Sequence, residues 1–307
     1  KISTRNNEKR SKTQLDNAIH KTAVRFDVTR VTRGNNIAVY KAQRKTCIMK
    51  VVPLDSRLEP VFWEYVYNDI PHYYFFISDM KHDRASTEIL LALETKQIQG
   101  MMLIFQERIV QLRGTTEAVK ALLAQLNIGK AEIQGLPEHK ALILDKFREV
   151  ETTLELTLMT LKRGEETLYT NHPVQKLSTE DAEEIAALLK NADPNWWIEI
   201  TGEEIAEKMH ERLWVGIRVD GQLVSVGGSA CDEWGSNIST IATQKSSRNK
   251  GYATAVVSTL VDQILDVSNL ALIHVESDNT PAVRAYTNVG FRPYRKYFLA
   301  RTKKKQS

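Results

Sequence analysis

The chain has 307 residues, with 42 Lys and Arg against 38 Asp and Glu, 42% hydrophobic and 26% charged residues, and only two cysteines. This is the composition of an ordinary globular protein. No apolar stretch approaches the ~20 residues that cross a bilayer, and Cys47 and Cys231 lie too far apart for a metal spacing or a disulfide framework. A membrane-spanning protein and a cysteine scaffold are thereby excluded. No metal is expected.

The length predicts about two domains. Residues 1–50 carry 13 Lys and Arg against 3 Asp and Glu, so residues 1–55 read as a basic N-terminal extension, partly disordered. No aromatic residues interleave with the early charges, the first being Phe26, as a nucleic-acid stacking platform would need. A solvated extension is the simpler reading; a nucleic-acid tether is the alternative. The polar N-terminus lacks the apolar segment of a signal peptide, and the cysteine usage suits a reducing compartment. A cytoplasmic location is expected.

Residues 56–165 read as a first domain. Tyr73 to Ile77 is predicted as a strand. Ile89–Leu93 and Ile98–Phe105 pair as a hairpin across Glu94–Gln97. Arg108–Leu112 adds a short strand, and Arg113-Gly114 turns into a helix that buries Ala118, Val119, Leu122, Leu123 and Leu126. A strand at Ala131–Ile133, a helix from Gly135-Leu-Pro137 to Phe147 and a closing strand at Leu154–Leu161 complete it.

Residues 170–302 repeat this order. Ser178 with Asp181 is a capping-box variant that opens a helix with a stripe of Ile185, Ala186, Leu188 and Leu189. Glu203–Glu211 is a second helix. Leu213–Val219 and Gln222–Ala230 form a hairpin across Asp220-Gly221, a type I′ signal. A strand-like stretch, Ile238–Thr243, then leads into Arg248-x-x-Gly251-x-Ala253 and an amphipathic helix with Val256, Val257, Leu260, Val261, Ile264 and Leu265 on one face. Leu270–Val275 is a buried strand, so the unit is a parallel βαβ with a right-handed crossover. A further helix starts with Thr280 as N-cap and Pro281 at its first position; it buries Ala282, Ala285, Tyr286 and Val289. Gly290 is its C-cap, and Phe291-Arg-Pro293 opens the last strand.

A strand that feeds a turn at a helix N-terminus leaves main-chain N–H groups without intrahelical partners. Together with the helix dipole they suit a phosphate or diphosphate. Arg248 and Lys250 add charge there. Gly251 permits close approach, and Ala253 keeps the first turn clear.

These residues resemble the GNAT superfamily of acyl-CoA-dependent N-acyltransferases over roughly Pro173 to Ala300. The motif residues are Arg248, Gly251, Ala253, Asn279, Ala282, Tyr286, Gly290 and Phe291. One departure is Lys245, where many members have proline. The resemblance implies an α/β (α+β) fold of two tandem GNAT-like domains, each a mixed central sheet flanked by helices, the first degenerate and the second catalytic. The paired architecture is similar to the glycine N-acyltransferase-like branch. The implied donor is acetyl-CoA or another short acyl-CoA. It would be held by Ile241, Ala242, Thr243, Arg248, Asn249, Lys250, Gly251, Tyr252, Ala253, Thr254, Asn279, Ala282 and Tyr286. The implied reaction is acyl transfer to a primary amine of a small molecule or peptide, by direct attack in a ternary complex; a non-catalytic acyl-CoA-binding sensor or scaffold is the alternative.

Tyr286 is either a packed aromatic or the general acid to the leaving thiolate. Asn279 either ends a strand or bonds the amide-bearing arm. For the base, Glu233 and Glu276 are the candidates, with Asp232, His210 and His274 weaker. Trp196, Trp197, Trp214 and Trp234 could line the acceptor pocket. In the first domain only Arg113-Gly114 stands where the phosphate loop should be, so that domain is expected to hold no cofactor of its own.

Overall fold

The computed structural model describes residues 28–29, 41–42, 49–147, 149–194, 197 and 199–302. The chain divides into two compact units, Lys1–Ile48 and Met49–Ser307. In the first, β1 (Val28–Thr29) pairs antiparallel with β2 (Lys41–Ala42); most of the predicted basic extension lies outside the described residues.

The second unit is built on one sheet of twelve strands. In chain order these are β3 (Lys50–Pro53), β4 (Thr87–Glu94), β5 (Gln97–Phe105), β6 (Ile109–Gly114), β7 (Glu132–Gly135), β8 (Val150–Lys162), β9 (Gln175–Lys176), β10 (Leu213–Val219), β11 (Gln222–Ser229), β12 (Ser236–Thr243), β13 (Leu270–Glu276) and β14 (Arg292–Thr302). The helices are α1 (Glu59–Tyr67), α2 (Ile70–His82), α3 (Thr116–Gln125), α4 (Lys140–Lys146), α5 (Ala182–Ala192), α6 (Gly202–Met209), α7 (Tyr252–Val267) and α8 (Thr280–Val289). The mixed sheet flanked by helices is the expected class.

The spatial order is β3-β4-β5-β6-β7-β14-β8-β13-β12-β11-β10-β9. The two closing strands have changed places. β8 ends the N-terminal half in sequence, yet it pairs antiparallel with β13, from Leu270↔Lys162 to Glu276↔Leu156. β14 ends the C-terminal half, yet it pairs with β7 through Phe298↔Gly135 and Ala300↔Ile133. β8 and β14 pair with each other between them. The two halves therefore share a single sheet, and one buried cluster (Tyr74, Leu156, Leu158, Leu272, Tyr297 and Leu299) spans the junction.

Local chemistry explains most elements. Asp220 (φ 51°) and Gly221 (φ 81°) make the β10–β11 turn with both central residues left-handed, as a type I′ turn requires. Thr95 and Lys96 do the same for β4–β5. The Ser178 main-chain N–H donates to the Asp181 carboxylate at 2.7 Å, so the predicted capping box forms. Helix α7 buries Ala255, Val256, Val257, Leu260, Val261, Ile264 and Leu265 against the second half's strands. Each large aliphatic residue there is worth about 1.5–3 kcal/mol of burial. Gly227 allows this close packing, because a Cβ there would lie 2.6 Å from Val256.

Two expectations are corrected. Tyr73–Ile77 is not a strand but the middle of α2. Asp69 accepts from the His72 N–H as N-cap, and Pro71 sits in the first turn; these start signals outweigh the β-like aromatic run. Thr280 is not the cap of α8. Asn279 is, its Oδ1 accepting from the Ala282 N–H at 3.2 Å.

Candidate active site

The parallel pairing of β12 with β13 runs from Ser236↔Ala271 to Ile238↔Ile273 and stops. Both strands continue, β12 to Thr243 and β13 to Glu276. On its other side β12 stays paired with β11 as far as Thr243. Ile241, Ala242 and Thr243 thus form one wall of a V-shaped gap, where a strand-like, amide-bearing chain can be added to the sheet.

The loop beyond Thr243 opens with a short 3₁₀ turn, Lys245–Ser247, so lysine serves where many family members use proline. Asn249 (φ 63°) and Gly251 (φ 84°) are both left-handed. Gly251 is the N-cap of α7 and brings no side chain to its first turn. The first α-helical bond is donated by Ala255 to the Gly251 carbonyl, at 3.1 Å. The N–H groups of Tyr252, Ala253 and Thr254 therefore precede the hydrogen-bonded ladder and face out of the helix end. Arg248 is anchored within the loop. Its Nε donates to the Thr243 carbonyl (3.3 Å) and its Nη2 to the Ala192 carbonyl (3.2 Å). The side chain clips the loop to the end of α5, and its charge adds to the local positive potential.

Sequence reasoning missed His172. Its Nε2 bonds the Lys250 carbonyl at 2.9 Å, and its ring packs edge-on against Tyr252 at 4.7 Å. It lies in the connection between the halves, where no periodic pattern marks it.

Helix α8 supplies Ala282 and Tyr286. Tyr286 is 6% exposed and packs edge-on against Phe291. Burial pushes its phenol well above the ordinary range, so it holds its proton at neutral pH. The Asn279 Oδ1 is engaged in capping, which leaves its amide N–H groups for a carbonyl of a bound arm.

Of the two candidate bases the structure brings only Glu276 to this end of the sheet. It is the last residue of β13, and its carboxyl is raised by partial burial, then by the negative charges of Asp278 and Asp193. A concavity of about 440 Å³ lined by Leu154, Glu155, Glu276 and Asp278 adjoins it. Glu233 falls in the turn before Ser236, at the far end of β12. Roughly 23 Å of extended chain separates it from Thr243. Asp232 shares that end and is held by His82 (2.8 Å) and by the Tyr74 hydroxyl (3.1 Å). His274 is half-buried, and desolvation and then the Arg113 charge push its pKa down to about 3, so its ring is neutral. The tryptophans do not gather. Trp214 is core beside α5 and α6, Trp197 packs on that same cluster, and Trp234 packs on the first half's aromatic cluster. Trp196 lies outside the described residues.

In the first half the corresponding position is closed. Arg113, expected as a remnant of a phosphate loop, is instead fully buried in β6. Thr115 caps α3, its side chain accepting from the Ala118 N–H at 3.2 Å. Among the described residues no group of three or more His, Cys, Asp or Glu could hold a metal ion, and no helix is long and apolar enough to cross a membrane.

Residues 214–299 match the model of the FR47-like protein family. No curated protein matches the sequence. Among solved structures, a Drosophila protein superposes with a TM-score of 0.65 at 10% identity, covering 82% of this chain and 98% of its own. An N-acetyltransferase of the GCN5-related type from Sphaerobacter thermophilus gives a TM-score of 0.56 at 11% identity, covering 83% and 95%. A tandem GNAT protein from the clavulanic acid biosynthesis pathway gives 0.50 at 11% identity, covering 83% and 98%. At such identities the superpositions speak for fold alone. Residues 214–299 are thus similar to the FR47-like family, and the chain as a whole has the fold of the tandem GNAT protein.

Proposed function

We propose that the second half is an N-acyltransferase that moves an acyl group, most simply acetyl, from acyl-CoA to a primary amine. The observation that carries this reading is the uncapped N-terminus of α7 beside the gap between β12 and β13. Three outward N–H groups and a left-handed glycine suit a diphosphate. The free side of Ile241–Thr243 suits the amide arm that follows it. When bound, the acyl-CoA supplies an activated thioester carbonyl.

The chain's own residues then have separate tasks. Glu276, with its raised pKa, accepts the proton of the incoming amine directly or through water. Tyr286, protonated at neutral pH, donates to the departing thiolate. Direct attack is favoured over an acyl-enzyme. Cys231 lies at the opposite end of β12, and partial burial and Asp232 push its thiol pKa up, away from the reactive thiolate. The first half shapes and supports the second and holds no acyl-CoA of its own. The acceptor is an amine of a small molecule or peptide.

A panel of amines incubated with acetyl-CoA, read by released thiol, tests this. Turnover on at least one amine is expected. In Tyr286→Phe turnover should fall by about 10²–10⁴ while CoA still protects the protein against heat. CoA protection without thiol release from any amine would instead make the protein an acyl-CoA sensor.

A further inference from the structure

A second concavity, about 390 Å³, lies in the first half beneath the junction of α1 and α2. Tyr65, Asp69, His72, Tyr73, Leu136 and Arg295 contribute to its lining. Its electrostatics are lopsided. Arg113, packed behind His72, is 1% exposed and donates to the carbonyls of His72 (3.1 Å) and Leu112 (3.0 Å) and to the side-chain oxygens of Gln111 (3.0 Å) and Gln134 (2.7 Å). Its guanidinium lies 4.4 Å over the Tyr297 ring. All these partners are neutral, and an arginine keeps its charge in a protein interior. A buried cation without a counter-anion is costly. The one acid in the lining is already engaged: Asp69 pairs with Arg295 (3.1 Å), accepts from the Tyr294 hydroxyl (2.6 Å) and caps α2.

The surplus charge is relayed to the cavity. Arg113 sits over the Tyr297 ring, and the Tyr297 hydroxyl lies 2.6 Å from His72 Nδ1. The cation over its ring makes the phenol the stronger donor of the pair, so the tyrosine donates to Nδ1. The ring is neutral, because burial and then Arg113 push its pKa down to about 2. Its single proton therefore sits on Nε2, which becomes a donor. Free main-chain donors, by contrast, are scarce: the Leu136 N–H is taken by His139 (3.1 Å) and the Ala118 N–H by Thr115. The site lacks the amide nest a diphosphate needs.

We propose that this cavity binds a small organic monocarboxylate, its anionic end toward His72 and Arg295 and its apolar body against Tyr65, Tyr73 and Leu136. Arg295 lines it and Tyr297 backs His72, both from the exchanged strand β14, so the site is built from both halves of the chain. It is independent of the acyltransferase reading.

Benzoate is the probe, with benzamide as its neutral isostere, on the full chain. Benzoate at about 10 mM should raise the melting temperature measurably and benzamide should not. The benzoate shift should add to that of CoA. Arg113→Met should weaken benzoate at least tenfold by calorimetry, and Leu136→Trp, which fills the cavity without changing charge, should abolish the shift should Arg113→Met fail to fold. Equal stabilisation by benzamide, competition between benzoate and CoA, a benzoate shift surviving in Leu136→Trp, or no response to benzoate would overturn the proposal.

Discussion

Two helix N-termini occupy equivalent places in the two halves, and they are finished in opposite ways. After β6 the chain turns at Gly114 (φ 121°) and enters α3 within two residues. The turn is so tight that a Cβ on Gly114 would lie 2.3 Å from the Gln99 carbonyl oxygen. Thr115 then supplies an acceptor to the first turn. After β12 the chain takes a longer loop, with two left-handed residues, and α7 starts from a glycine that supplies no acceptor. The gaps between the neighbouring strands differ in the same sense. Arg113 fills the first, bonded across it to Gln134 on β7; Ile241–Thr243 leave the second open. A closed site of this kind is not an empty one: side chains stand where a ligand's polar groups would be.

The comparison can be broken most directly at Gly251. Gly251→Val places a β-branched residue at φ 84°, which costs at least about 1–2 kcal/mol locally and puts a side chain across the outward N–H groups. CoA-dependent thermal protection should vanish while the unliganded protein still unfolds cooperatively. Unchanged protection would mean the donor binds elsewhere.

The two halves should also answer pH differently. Glu276 is raised above the ordinary glutamate range, so the acid limb of kcat/KM should lie higher than an unperturbed carboxylate would put it. In Glu276→Gln that limb should disappear with a loss of about 10²-fold in rate; a retained limb would assign the base to another group. In the first half, Asp79 on α2 is pushed up to about 7 by burial and then by Asp83. The folded state keeps this proton longer than the unfolded chain, so stability is highest below the unfolded pKa and declines as pH rises toward 7. Asp79→Asn removes that penalty. It should raise the melting temperature by a few degrees at pH 8, about 1–2 kcal/mol for a half-buried group, and change little at pH 4.

The smallest effect sharpens the contrast. Thr115→Ala removes the cap of α3 and should cost about 1 kcal/mol by denaturant titration. It should create no CoA binding, because Arg113 still fills the gap. New CoA protection in this variant would show that a single hydroxyl separates the two halves.

Much of the site could be read from the residues in order. Asp220-Gly221 specifies its hairpin, Gly251 its left-handed cap, and the stripe from Val256 to Leu265 its helix, because each depends on neighbours within a few positions. The aromatic run Tyr73–Ile77 misled for the same reason: β-propensity reports a fit to a half-buried surface, and here that surface is a helix face started by Asp69 and Pro71. Arg113 and Arg248 look alike in the sequence, each in a strand-to-helix turn. One is sealed in the sheet and the other clips a loop to α5, a difference set by residues such as Gln134 and Ala192 far along the chain.

The sequence alone determined the paired βαβ order, the glycine turn before Tyr252 and the helix that carries Tyr286, because these follow from local dihedral preferences and hydrophobic period. Tertiary structure decided which edge each closing strand joins, that Glu276 and not Glu233 shares the end of the sheet with Thr243, and that the first half's gap is filled. Strands β8 and β14 carry apolar patterns that suit either neighbour. Their exchange is a choice between long-range pairings, and only the assembled sheet makes it.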